Sequence, residues 1–210
     1  MESDTLVLHE AVPSTRSSQF DAAYYARYYG ARRTRVHSAR EIARLATGVT
    51  ALCDWWRFEL KNVLDVGAGV GLWRDWFARH HPRVRYRSTE VSRYACEEFG
   101  HEQRDIARWR AREKFDLIVC QGVLPYLDDE GASAAIDNLG AMSRGLMYFE
   151  AITRRDVREV LDTDLSDGSM HPRSGRWYRT RLARHFHQIG AGLWCSRASA
   201  LLFYELERVR

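Results

Sequence analysis

The sequence predicts an α/β fold: a doubly wound, mostly parallel sheet with helices on both faces and an antiparallel C-terminal edge. Three observations predict it. Short apolar runs suited to buried strands recur at 63–66, 84–88, 115–120 and 146–150 with helical stretches between them, and such alternation gives parallel strands joined by right-handed crossovers. The first run, Val63-Leu64-Asp65-Val66, ends in a glycine turn that opens a helix over 72–80. A chain of 210 residues is long enough for one such core, so residues 19–210 are expected to form a single domain.

The elements follow in order. Residues 1–18 mix Ser, Thr, Glu and Pro and predict a mobile arm. Phe20 to Gly30 carries Tyr24, Tyr25, Tyr28 and Tyr29, two pairs at i and i+4, which on a helix set four rings along one face. Ser38 caps a second helix running to about Trp56, and Glu41 three residues on completes a capping box. Together these make a helical cover over 19–60. Beyond the glycine turn, helices are expected at Tyr94 to Phe99 and Glu130 to Ser143, and residues 151–180 form an insert on the substrate side. Near the C-terminus, Thr180 to Gln188 reads as helix, Ala191 to Ser196 as extended and Leu201 to Glu207 as an alternating strand. The last two would close the sheet edge as an antiparallel pair.

Composition excludes several classes. With 45% hydrophobic and 29% charged residues the chain is neither disordered nor fibrous. No apolar run reaches the roughly 18 residues of a membrane span, and the N-terminus lacks the pattern of a secretory leader. Cys53, Cys96, Cys120 and Cys195 lie far apart without a CxxC pair, so zinc or a disulfide framework is not indicated and a reducing cytoplasm is the simplest location. The net charge of +4 raises the question of nucleic acid. However, only Lys61 and Lys114 are lysines, and the arginines are spread through the chain. The cluster Arg27, Arg32, Arg33, Arg35, Arg40 and Arg44 therefore reads as a solvated surface.

Chemistry begins at Asp65-Val66-Gly67-Ala68-Gly69-Val70-Gly71. Glycine lets a backbone turn sharply and approach a ligand, and a helix start offers free N–H groups. A dinucleotide turn would place a small residue at position 72, which is Leu. Glu90, about twenty residues on at the end of the second strand in Glu90-Val91, is placed to accept from two ribose hydroxyls. It is expected in an open, hydrated crevice, so that its loss would weaken binding far more than folding.

The D-x-G-x-G-x-G spacing, Glu90, Asp105-Ile106 and the loop Gln121-Gly122-Val123-Leu124-Pro125-Tyr126 after the fourth strand occur in the order found in one family. The chain resembles class I S-adenosylmethionine-dependent methyltransferases over about a third of its length. The resemblance implies a seven-stranded sheet and S-adenosylmethionine as cofactor, with S-adenosylhomocysteine as product. It implies cofactor contacts from Asp65, Gly67, Ala68, Gly69 and Gly71, ribose contacts at Glu90 and Val91, adenine contacts at Asp105 and Ile106, and contacts near the methionine half at Gln121 and Gly122.

A sulfonium methyl is already activated, so the protein has mainly to align the acceptor and exclude water. The strand ends at Cys120 and Glu150 offer no paired carboxylates for magnesium, and no metal is expected; Asp137 and Asn138, in mid-helix, read as surface residues. The acceptor is expected to be a small organic molecule methylated on oxygen or nitrogen, held by Tyr24, Tyr28, Tyr126, Trp177 and Tyr178. His171, in a loop flanked by glycine and proline, and Glu150 are the candidate bases. An RNA methyltransferase or RNA-binding relative and a non-catalytic scaffold with the same fold stay open at this point.

Overall fold

The computed structural model describes residues 19–31, 33, 35–162 and 166–207, so the expected arm over 1–18 lies outside the described residues. A short helix α1 (Ala22–Tyr25) continues as a π-helical turn (Ala26–Gly30) and is followed by α2 (Ala39–Trp55). Then β1 (Asn62–Val66), α3 (Leu72–His80), β2 (Arg85–Glu90), α4 (Arg93–Phe99), β3 (Glu102–Gln103) and β4 (Phe115–Gln121) alternate. They are followed by α5 (Asp129–Met142), β5 (Ser143–Glu150), α6 (Arg154–Glu159), α7 (Gly175–Leu182), β6 (Phe186–Gly190) and β7 (Leu193–Ser196). The seven strands form one sheet in the order β3-β2-β1-β4-β5-β7-β6, parallel from β3 to β5 and antiparallel at β7 and β6. This is the doubly wound α/β sheet with the antiparallel edge that the sequence predicts.

Each central strand buries both faces, as crossover helices require. Leu64, Ile118, Cys120 and Met147 pack on α5 and α7, while Val63, Leu117, Val119 and Leu146 pack on α2 and α3. The cap on α2 forms as expected: the Ser38 amide donates to Glu41 Oε2 at 2.7 Å and the Glu41 amide donates to Ser38 Oγ at 3.2 Å. A third, aromatic cluster joins Phe20 and Tyr25 to Ala95 on α4, which lays α1 across the C-terminal ends of the strands.

The C-terminal assignments need correction. Phe186 to Gly190 is strand rather than helix, because Gly190, Ala191 and Gly192 take positive φ (131°, 48° and 81°) and turn the chain back on itself as a hairpin. The closing pair is therefore β6 with β7. Residues 201–207 form no strand; Phe203 packs edge-on against Trp56 at 5.0 Å, whereas Leu202, Tyr204 and Leu206 are exposed. Their alternation reflects one side lying on α2, not pairing in a sheet.

Gly145 marks a close approach within β5. A Cβ there would lie 2.3 Å from both the Asp116 carbonyl oxygen and Phe58 Cζ. Gly145→Ala is expected to lose about 1–3 kcal/mol of stability through overpacking, read as a lower midpoint in urea denaturation.

Candidate functional site

Two cavities open at the C-terminal ends of the parallel strands, where doubly wound sheets bind ligands. The smaller, of about 80 Å3, is bordered by Glu90, Val91, Asp105 and Ile106. The larger, of about 360 Å3, is bordered by Asp65, Ala68, Gly69, His37, Glu150 and Asp167. Both share Gly67, Gln121, Gly122, Tyr24, Tyr29 and Tyr126, so they meet between the glycine turn after β1 and the loop after β4.

The turn can take this path only with glycine. Gly67 has φ +68°, and a Cβ on it would lie 2.3 Å from Val123 Cγ2. Gly69 has φ +58°, a left-handed conformation that favours glycine, and the Tyr29 hydroxyl lies over it. Gly71, also left-handed, is the N-cap of α3. The turn is tied to the end of β2: the Gly67 and Ala68 amides donate to the Thr89 carbonyl at 2.9 and 3.1 Å.

Glu90 completes this tie, and here the open-crevice expectation fails. The side chain is buried, with Oε2 accepting from the Gly69 amide at 3.0 Å and Oε1 accepting from the Val91 and Ser92 amides at 2.7 and 3.2 Å. Burial raises its pKa, and the three amide bonds offset part of that rise. Asp105 accepts from the Ala107 amide at 3.0 Å, and Ile106 runs from the cavity wall into the core. Asn138, read from sequence as a surface residue, donates to the Ile106 carbonyl at 2.8 Å and so braces this loop; Asp137 pairs with His185 at 2.7 Å.

Asp65 is buried beneath the turn, where the Tyr86 hydroxyl donates to it at 2.8 Å. Burial pushes its pKa up to about 7 against that hydrogen bond.

Around the larger cavity a polar chain crosses the strand ends. Trp73 Nε1, which can only donate, donates to Gln121 Oε1 at 2.9 Å and thereby fixes the orientation of the amide. Gln121 Nε2 then donates to Glu150 Oε2 at 3.3 Å and to His37 Nε2 at 3.1 Å. His37 must accept on Nε2, so the neutral ring carries its proton on Nδ1. Tyr148 also donates to Glu150 Oε2, at 2.9 Å. Burial works against ionisation of Glu150, but the neighbouring His37 ring, 3.6 Å away, and the Tyr148 and Gln121 donors prevail and hold its carboxyl below the usual range. Sequence reasoning missed His37, whose only visible signal was its place beside the Ser38 cap.

Tyr24 and Tyr28 line the larger cavity, and the Tyr24 and Tyr126 hydroxyls lie 3.1 Å apart. Three expected residues lie elsewhere. The buried Arg173 guanidinium bonds to the Leu124 and Leu127 carbonyls at 3.1 and 2.5 Å and to Asp129 at 2.7 Å, clamping its segment to the β4–α5 connection. That clamp leaves His171 exposed and outside both cavities. It also turns α7 toward the opposite side, so that Tyr178 is buried against Phe149 and Trp177 stacks between Arg173 and Arg181. Among the described residues no group of three or more His, Cys, Asp or Glu could hold a metal ion, and no helix is long and apolar enough to cross a membrane.

Residues 31–196 match the model of a family described as a methyltransferase domain. The chain belongs to that family. Its sheet is that of the class I S-adenosylmethionine-dependent methyltransferases, as solved structures show. The N-methyltransferase NodS from Bradyrhizobium japonicum WM9, in complex with S-adenosylhomocysteine, aligns over 79% of this methyltransferase and 91% of NodS, at 18% identity and a TM-score of 0.56. CalS10 from Micromonospora echinaspora, an amino pentose methyltransferase with bound S-adenosylmethionine, aligns over 81% and 96% at 15% identity and a TM-score of 0.59. Magnesium protoporphyrin IX methyltransferase from Synechocystis PCC 6803 aligns over 86% and 92% at 16% identity and a TM-score of 0.56. No curated protein matches the methyltransferase by sequence.

Glu90→Ala is expected to lower the stability of the ligand-free protein by at least about 2 kcal/mol, because three inward amides lose their acceptor at about 1–3 kcal/mol per unsatisfied group. Chemical denaturation reads this. Asp65 generates a pH signature. Its pKa is higher folded than unfolded, so the folded state keeps a proton that the unfolded chain releases between about pH 4 and 7, and stability falls as pH rises through that window. Asp65→Asn removes this dependence; its stability relative to wild type should climb by up to about 4 kcal/mol from pH 4 to 7 and level off above, in urea melts across pH.

Proposed function

We propose that the methyltransferase transfers the methyl group of S-adenosylmethionine to an oxygen or nitrogen of a small organic acceptor, without a metal ion. The observation that carries this reading is the pair of cavities meeting over Gly67, Gln121 and Gly122. The residues matched to ribose and adenine border the smaller and the candidate acceptor residues Tyr24, Tyr28 and Tyr126 border the larger, with a common wall where a methyl could pass between them.

The residues present fit the cofactor. The close contact of Gly67 with Val123 leaves no space for a Cβ, and the rest of the turn, Ala68, Gly69 and Gly71 with Asp65 beneath, gives a ligand access to backbone. Among the described residues Glu90 Oε2 accepts only the Gly69 amide, so one of its lone pairs remains for a ribose hydroxyl, with Val91 beside it. Asp105 and Ile106 would meet the adenine, one by hydrogen bonding and the other by apolar contact. Gln121 and Gly122 would border the methionine half. The S-adenosylhomocysteine and S-adenosylmethionine in the NodS and CalS10 structures support the same assignment.

When bound, the cofactor supplies a methyl group whose bond to sulfur breaks toward sulfur as the acceptor's lone pair forms the new bond. This chain supplies position and proton handling. Tyr24, Tyr28 and Tyr126 wall the larger cavity and limit water, and its volume is in the range of small-molecule sites, about 300–1,000 Å3. Glu150, ionised and bonded through Gln121 to His37, is the group that would receive or stabilise a proton leaving the acceptor, with His37 as its partner.

Isothermal titration tests the cofactor assignment. S-adenosylhomocysteine is expected to bind with micromolar or better affinity and NAD to give no heat, with the S-adenosylhomocysteine isotherm unchanged by EDTA or added magnesium. Binding of NAD alone would overturn the reading.

A further inference from the structure

The corner of the larger cavity formed by Tyr24, Tyr126 and Asp167 has no part in the cofactor assignment. Asp167 Oδ1 accepts from the Ser169 amide at 2.9 Å and the Ser169 hydroxyl at 2.7 Å, which holds the carboxylate in place. Its Oδ2 is buried and has no hydrogen bond of good geometry among the described residues, although the Tyr126 hydroxyl lies within reach of the carboxylate. A buried carboxylate oxygen left unpaired is costly unless a ligand completes it. Burial first, and then the Asp167 charge among other neighbours, raises the pKa of Tyr24 and of Tyr126, so both stay phenols. One of the two phenol protons is used between them and the other can turn toward Asp167, which leaves lone pairs on the carboxylate and on a phenol oxygen. The corner thus offers more lone pairs than protons, beside the aromatic ring of Tyr28.

We propose that this corner is a subsite for the ammonium group of an amine acceptor. An ammonium carries three N–H donors and a positive charge, enough to satisfy Asp167 Oδ2 and a phenol oxygen together, and the tyrosine faces attract the same charge. A neutral hydroxyl offers one proton and no charge. Arg33 and Arg35, the cavity's described arginines, are exposed on the segment that leads to His37. Because Tyr24 and Tyr126 also line the smaller cavity, the nitrogen held here lies where the two cavities meet. The inference rests on the proposed function for its chemistry: the ammonium gives up one proton, toward Glu150 and His37, before its lone pair can form the new bond to carbon.

The test is calorimetry with phenethylamine and 2-phenylethanol, a pair of one shape, on the ligand-free protein and on protein saturated with S-adenosylhomocysteine. The amine is expected to bind at least tenfold more tightly than the alcohol at pH 7, and Asp167→Asn to abolish that preference while S-adenosylhomocysteine affinity stays within twofold. Tyr24→Phe, which keeps the ring, should reduce the preference partially. Equal binding of the two probes, no binding of the amine, or a preference that survives Asp167→Asn overturns the subsite. Failure of S-adenosylhomocysteine to bind would instead strike the cofactor assignment, and the ligand-free titrations still decide the subsite.

Discussion

The buried carboxylate of Glu90 is the interaction on which the ligand-binding end of the sheet depends. It sits at the end of β2 and gathers the amides of Gly69, Val91 and Ser92, so it fixes the glycine turn to the neighbouring strand and starts the course toward α4 at once. A carboxylate is suited to this because it accepts several N–H bonds without donating any. Removing it from water is unfavourable, and the convergent amides are what make the buried position tolerable. The position of the turn then sets the height of Gly67 against Val123, and with it the common wall of the two cavities.

A second constraint acts across the sheet. Trp73 on α3 fixes the amide of Gln121 at the end of β4, and Gln121 passes that orientation to Glu150 at the end of β5 and to His37 before α2. Three residues from three different segments are thereby tied to one indole N–H. The aromatic cover adds to this arrangement. Tyr29 packs over Gly69, and Tyr24 meets Tyr126 across the cavity. The cover helix is therefore held by the site as much as it encloses it.

Burial of charge at this end of the protein is uneven in a useful way. Asp65, under the turn, is pushed toward neutrality by burial, while Glu150 is kept ionised by its donors. Two carboxylates about one cavity thus differ in protonation behaviour through their surroundings alone, a division that lets one site combine structural and proton-handling roles.

The sequence by itself determined the strand and helix alternation, the glycine turn, the capping box of α2 and the order of Glu90 and Asp105 after the turn. Each of these is a local signal: a periodicity, a residue type that one backbone conformation requires, or a spacing along the chain. Only the tertiary structure decided what lay between distant segments. The exposure of Glu90 could not be read from position 90, because it depends on amides contributed by the turn twenty-one residues earlier. His171 and Tyr178 resembled site residues by composition, yet the buried Arg173 holds their segment so that neither reaches the cavity. His37 showed only its place beside the Ser38 cap and Asp167 only its place in the substrate-side insert; they reach the cavity because the sheet brings its strand ends together under the chain's two covering segments. Helices and turns are decided by neighbours in sequence, whereas burial and partnership are decided by neighbours in space.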